Sequence, residues 1–245
     1  MLITGGGSGI GASLARRLAK AGARVTISGR RKDKITAVAR EIGPNCHAVA
    51  GDVSDEGDRR RMIDEAVAHG GGLQALINNA ADMYRGPISA LEADKVLNVF
   101  NINVVAGMML TGLAVPHLEK TGGSVVFISS VHTLRAYPGA SPYAATKGAI
   151  SALTRVLAAE LGQKKICVNC VVPGAVPTEI NIRAGLFTEE QHAERMAAIA
   201  NDHALRRVGT PEEIAEGIEY LIRAEWTTGS ALVIDGGLSL GLSNF

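Results

Sequence analysis

The sequence predicts an α/β fold, a single-domain, doubly wound parallel sheet of about seven strands with helices on both faces. Three observations carry this. Short apolar runs alternate with stretches of 3.6-residue apolar spacing, which is the βαβ rhythm. The runs are continuously apolar, as in strands buried on both sides. The first run leads through a glycine-rich turn into an amphipathic helix. Right-handed crossovers between such parallel strands then wind the sheet in both directions.

In chain order the runs are MLIT (1–4), ARVTIS (23–28), CHAVAGD (46–52), LQALINNA (73–80), GSVVFISS (123–130), KICVNCVVP (165–173) and SALVIDGG (230–237). After the first, Ile10, Leu14 and Leu18 recur at i, i+4 and i+8, and Gly22 offers a C-terminal stop. No repeat, low-complexity tract or linker interrupts the rhythm, so residues 1–245 read as one unit. Its main departure is the charged, helical segment 179–208 between the sixth and seventh strands. An excursion beyond a strand's carboxyl end lies over the ligand crevice of an open α/β sheet, so this segment is a candidate lid. An amphipathic packing helix is the competing reading.

With 25 Lys plus Arg against 24 Asp plus Glu, no charge excess points to nucleic acid or an anionic membrane, leaving small molecules or copies of itself as partners. No uninterrupted apolar run approaches the roughly 20 residues of a membrane span, and the N-terminus lacks signal-peptide features, so a cytoplasmic location is expected. Among three cysteines, Cys167 and Cys170 form a C-x-x-C. It falls in a strand pattern, where positions i and i+3 face opposite ways, and no second such pair exists to complete a metal site. No metal is expected.

Gly5, Gly9 and Gly11 of ITGGGSGIG permit a tight turn whose N–H groups can approach a diphosphate at a helix N-terminus. Later come NNAA (78–81), Tyr143 with Lys147 in SPYAATKGAI, PGAVPT (173–178) and DGG (235–237). In this order, across essentially the whole chain, these motifs resemble the classical short-chain dehydrogenase/reductase family, with its Rossmann-type fold and nicotinamide dinucleotide cofactor. The resemblance implies cofactor contacts from Gly5, Ser8, Gly9, Ile10, Gly11, Asp52, Val53, Asn79, Ala80, Pro173, Gly174, Val176 and Thr178. Tyr143 and Lys147 belong to the same contact set. Asp52 would bond the adenine amine or cap the following helix. Two departures are visible. Ala81 replaces the family's glycine, and Met1 falls inside the first strand, where relatives carry more residues.

NAD-specific sites place an acid at the end of the second strand, whereas here Gly29 is followed by Arg30 and Arg31. Guanidinium groups suit a 2′-phosphate, so NADP(H) is favoured over NAD(H). Two readings qualify this: relatives that use NADP often carry a basic residue where Ser8 stands, and the two arginines could be a solvated helix start.

Hydride transfer at a carbinol carbon needs a group that exchanges a proton with the oxygen. A free phenol titrates near pH 10, roughly three units too high, and a cation on the same helix face would lower it. Of four tyrosines, only Tyr143 has a lysine four positions on. By resemblance, Ser130, 13 residues upstream, positions the substrate oxygen, and Lys147 also bonds the nicotinamide ribose. Asn103 aligns with the family's relay asparagine, whose amide would hold a water joining lysine to solvent; Asn101 and Asn98 are its rivals. His132 reads as a substrate contact or, in preference, a surface residue. Phe187 is the one aromatic of the lid segment, which indicates neither ring stacking nor a strongly charged clamp on the substrate.

The function expected is alcohol/carbonyl oxidoreduction, with a non-catalytic dinucleotide-binding regulator or scaffold as the alternative. A related lyase or epimerase is a third reading. A homo-oligomer, tetramer or dimer, built on the helices of Asn103 and Tyr143 is implied by resemblance.

Overall fold

The computed structural model describes residues 1–241, so the last four residues of the expected 1–245 unit lie outside the described part. Strands β1 (Leu2–Thr4), β2 (Val25–Gly29), β3 (Cys46–Ala50), β4 (Ala75–Asn78), β5 (Ser124–Ile128), β6 (Cys167–Pro173) and β7 (Ala231–Ile234) form one parallel sheet. Their order is β3-β2-β1-β4-β5-β6-β7. From β1 the chain winds outward to β3, returns, and winds the other way, which makes β1/β4 the switch point where such sheets bind ligands at their carboxyl ends.

Continuous apolar strands serve both faces at once. Leu2, Leu76, Val125, Phe127, Val168 and Cys170 contribute to one core cluster, and their neighbours Ile3, Ile77, Val126, Ile128 and Val171 contribute to the other. The first face is covered by α3 (Glu56–Gly70), the helical run α4 (Ala93–Phe100) to α5 (Ala106–Leu118), and α6 (Ser141–Leu161). The second is covered by α1 (Gly9–Lys20), α2 (Lys32–Ile42) and α9 (Pro211–Arg223). The predicted apolar spacing of α1 buries Leu14 and Leu18, and Gly22, at φ +87°, follows its end. Alternation along β6 sends Cys170 into the core, while Cys167 stays half-exposed at the strand's start.

The run from Ala93 to Leu118 is one continuous helix of 26 residues, interrupted only by a π-helical turn over Asn101–Val105. By length and composition it could cross a bilayer, which short apolar runs in the sequence do not disclose. Here it packs on the sheet through Ile102, Ala106, Leu110, Ala114 and Leu118, leaving Leu97, Val105, Met108 and Met109 exposed.

Between β6 and α9 lie α7 (Ile180–Arg183) and α8 (Glu189–Ala200). Thr188 caps α8 with a reciprocal bond from Gln191, which fixes where the helix starts.

Candidate active site

A single cavity runs along the carboxyl ends of the strands, lined by residues just past β1, β2, β3, β4, β5 and β6. Its floor at one end is the turn after β1. Gly5, at φ +67°, adopts the left-handed conformation that a side chain disfavours. Ser8, at the N-cap of α1, makes no side-chain cap bond, and the first turn holds no acid. The first N–H groups of α1 are therefore unspent by local capping, and with the helix dipole they form an anion cradle.

Gly11 does not line the cavity. A Cβ there would lie 2.5 Å from the Gly5 carbonyl oxygen and 2.6 Å from Asn79 Nδ2, so its role in the structure is the close seating of α1 on the turn. Asn79 braces the same turn, its Nδ2 donating to the carbonyls of Thr4 (2.8 Å) and Gly5 (3.2 Å). The cavity wall takes in Ser8, Gly9, Ile10, Arg30, Arg31, Asp52, Val53, Asn79, Ala80, Pro173, Gly174, Val176 and Thr178. Asp52 does not cap α3; Asp55 does, accepting the Asp58 N–H at 2.8 Å. Asp52 instead accepts from Ser54 N–H and Oγ, with Arg30 at 3.8 Å. Arg31 donates to Ser8 Oγ (3.1 Å) and lies 2.7 Å from the Glu179 carboxylate; both arginines line the cavity, Arg30 with its side chain 57% exposed and Arg31 at the N-cap of α2.

At the other end, Tyr143 and Lys147 lie on the first two turns of α6, facing inward and buried. Lys147 Nζ donates to the Ile128 carbonyl (2.8 Å) and stands 5.4 Å from the centre of the Tyr143 ring. Burial pushes Lys147 down to about 8. Burial also pushes the Tyr143 phenol up to about 12, a rise that the Ser130 hydroxyl partly offsets. The depressed phenol expected from the lysine is thus not produced by the surrounding side chains: desolvation outweighs them.

Of the three candidate asparagines, Asn103 turns inward at the π-helical turn and Asn98 outward. Its amide is committed: Oδ1 accepts from Asp82 N–H (2.7 Å), and Nδ2 donates to the Asp82 carbonyl (2.9 Å) and Thr146 Oγ1 (3.1 Å). Both amide protons are spent, so the side chain pins the loop at 82 to α6 instead of offering an N–H to water, and Asn103 stays outside the cavity wall.

His132, which the sequence favours as a surface residue, belongs to the cavity. Its Nδ1 lies 3.0 Å from Ser130 Oγ, and its ring meets Tyr143 edge-on at 5.2 Å and Tyr137 at 4.3 Å. Burial foremost, then Arg85, Arg195 and Lys147, pushes it down to about 4, so it is neutral at pH 7. Arg85 and Arg195 also line this end, two cations that the reading of the lid segment did not anticipate. They stand 110 positions apart, and only tertiary structure joins them. The signal available for His132 was its place two residues after Ser130.

The family model described as enoyl-(acyl carrier protein) reductase matches residues 5–239, nearly the whole of this site and its scaffold. The chain belongs to the short-chain dehydrogenase/reductase family. Glucose 1-dehydrogenase from Gluconobacter oxydans is 34% identical over 249 residues, covering 98% of this chain and 91% of that one. Among solved structures, a short-chain dehydrogenase/reductase from Caenorhabditis elegans with cofactor superposes with a TM-score of 0.94 at 28% identity, covering 98% and 95% of the two chains. The 3-ketoacyl-(acyl-carrier-protein) reductase of Brucella melitensis, complexed with NADH, gives 0.88 at 31% identity and 97% of each chain. As a short-chain dehydrogenase/reductase the protein is an oxidoreductase, with dehydrogenases and reductases as its relatives.

Proposed function

We propose that the protein is an NAD(P)(H)-dependent oxidoreductase that interconverts a secondary alcohol and a ketone, with NADP(H) favoured over NAD(H). One observation carries the reading: Tyr143, Ser130 and Lys147 converge on the same cavity whose far end is the anion cradle at α1. The cradle fits a dinucleotide diphosphate, and Arg30 and Arg31 beside Gly29 fit a 2′-phosphate. In this assignment Gly5, Ser8, Gly9 and Ile10 hold the diphosphate, and Asp52 and Val53 the adenine. Asn79, Ala80, Pro173, Gly174, Val176 and Thr178 hold the nicotinamide half with Tyr143 and Lys147. The nucleotide, when bound, supplies or accepts the hydride.

The proton belongs to the protein. In reduction, Tyr143 Oη donates its proton to the substrate oxygen; in oxidation, the phenolate takes it back. Ser130 Oγ donates a hydrogen bond to that oxygen. It carries one proton, so His132 must present Nδ1–H to it and leave the serine proton for substrate. Lys147 returns a proton to Tyr143, and Asn103 positions α6 through Thr146. The Tyr143–Ser130–Lys147 set disfavours the scaffold alternative, which has no use for a lysine held in a buried site at the cost described below. A homo-oligomer is part of the proposal, on the exposed apolar face of α4, α5 and α6 that Leu97, Met108, Met109 and Val156 form.

Tyr143→Phe tests the chemistry. Turnover of NADPH with a ketone panel should fall by about 10²–10⁴-fold, the worth of a positioned proton donor, with NADPH affinity by calorimetry nearly unchanged. Turnover retained within a factor of ten would remove Tyr143 from its role.

A further inference from the structure

The substrate end of the cavity has a charge character that the proton chemistry does not require. Arg85 and Arg195, from the loop after β4 and from α8, both line it, and both are half-buried. Arg85 is held by the Pro138 carbonyl (3.2 Å), and Arg195 stacks 5.4 Å over Phe187. Among the described residues neither forms an ion pair. The carboxylates on the cavity wall, Asp52 and Glu179, sit at the other end beside Arg30 and Arg31. Burial and the charge of Arg195 push Arg85 downward, so the two cations sense each other. Two guanidinium groups on the wall of one partly desolvated cavity without a counter-charge cost free energy, and an anion bound in that cavity offsets the cost. Met83, Met196, Ile199 and Leu238 supply apolar wall around them.

Resting on the oxidoreductase reading, we infer that the substrate is an amphiphilic carbonyl or hydroxy compound bearing an anionic head group, carboxylate or phosphate. Arg85 and Arg195 grip the head group, the methionines and aliphatic side chains cover an apolar body, and Tyr143 with Ser130 receives the reacting oxygen. Neutral His132 adds a polar contact at the same end without adding charge. Because Arg195 rides on α8, the anion also holds the lid segment against the cavity.

The test uses matched pairs with purified full-length protein and NADPH: straight-chain keto acids against their methyl esters, and keto-alkyl phosphates against the free alcohols. The anionic member should have a kcat/KM at least about tenfold higher, and the better pair identifies carboxylate or phosphate. Arg85→Gln and Arg195→Gln should each raise KM for the anionic member about tenfold or more, while changing the neutral member less than about twofold. Preference for neutral members, or equal losses on both, overturns the inference. If no ketone or alcohol turns over with either nucleotide, the oxidoreductase reading itself falls. The anion site is then judged by calorimetry with octanoate and octyl phosphate: binding lost in the double variant supports it, and binding equal to wild type overturns it.

Discussion

Lys147→Met should expose what the fold expends to keep a cation at the site. In the unfolded chain the ammonium titrates near 10.5, and in the folded protein burial lowers it to about 8. At pH 7 the lysine is charged in both states, and the folded state bears a cost of about 3 kcal/mol from the shift. Between about 8 and 10.5 the unfolded chain still binds a proton that the folded protein has released, so wild-type stability rises with pH through that window. Methionine keeps the unbranched stem up to Cε, carries no charge and titrates nowhere. It also removes the bond to the Ile128 carbonyl (2.8 Å), a loss of about 1–3 kcal/mol that does not depend on pH. The offset at one pH is therefore ambiguous, but its slope is not. Relative to Lys147→Met, wild type should gain about 2–3 kcal/mol between pH 7 and pH 10, because titrations shared by both proteins cancel. Urea unfolding of nucleotide-free protein at pH 7, 8.5 and 10 reads this directly. A wild-type-minus-variant difference that stays flat across the series would show that Lys147 is not desolvated as its burial implies.

Four further outcomes follow from the geometry. Replacing Arg30 and Arg31 together by alanine should raise KM for NADPH by about 10–100-fold and that for NADH by less than about threefold, as expected for lost charge-assisted bonds to a 2′-phosphate. Glu179→Gln, which removes the carboxylate 2.7 Å from Arg31, should move the NADPH value the other way; KM values with both nucleotides check both changes. Asn103→Ala strips Asp82 of two partners and Thr146 of one in a buried setting, so thermal unfolding should fall by roughly 5–10 °C for a loss of about 2–3 kcal/mol. Light scattering should give an oligomeric mass that Met109→Glu on the exposed face of α5 reduces; a monomeric wild type refutes the assembly.

The fold was legible because a strand buried on both faces leaves a continuous apolar run, and all seven runs correspond to strands. Their order was less so, since β1 at the centre and β3 at the edge carry the same kind of pattern. At the site, legibility tracked sequence distance. The Tyr143–Lys147 pair is local to one helix, and its spacing survives intact in α6. Asn103 was recognisable, yet its partners lie 21 and 43 positions away, so its commitment to Asp82 and Thr146 could not be read. His132 lacked a neighbouring carboxylate and was assigned to the surface, whereas its partner is the Ser130 hydroxyl two residues before it.

The two basic groups nearest the chemistry are kept uncharged-prone by the same cause. Burial foremost lowers both Lys147 and His132, and the arginines at 85 and 195 lower the histidine further. His132 at about 4 stays neutral across the physiological range, while Lys147 at about 8 lies within reach of it. Lys147 is therefore the group whose protonation changes when the medium crosses pH 8, and it lies one helical turn from Tyr143, the phenol to which the proposed mechanism assigns the substrate's proton. A histidine with an ordinary value beside Ser130 would instead charge near pH 6.5, donate from both nitrogens and add a cation beside Arg85 and Arg195. In the proposed mechanism, holding His132 neutral separates two tasks: the imidazole orients the Ser130 hydroxyl, and the Lys147 ammonium returns the proton to Tyr143.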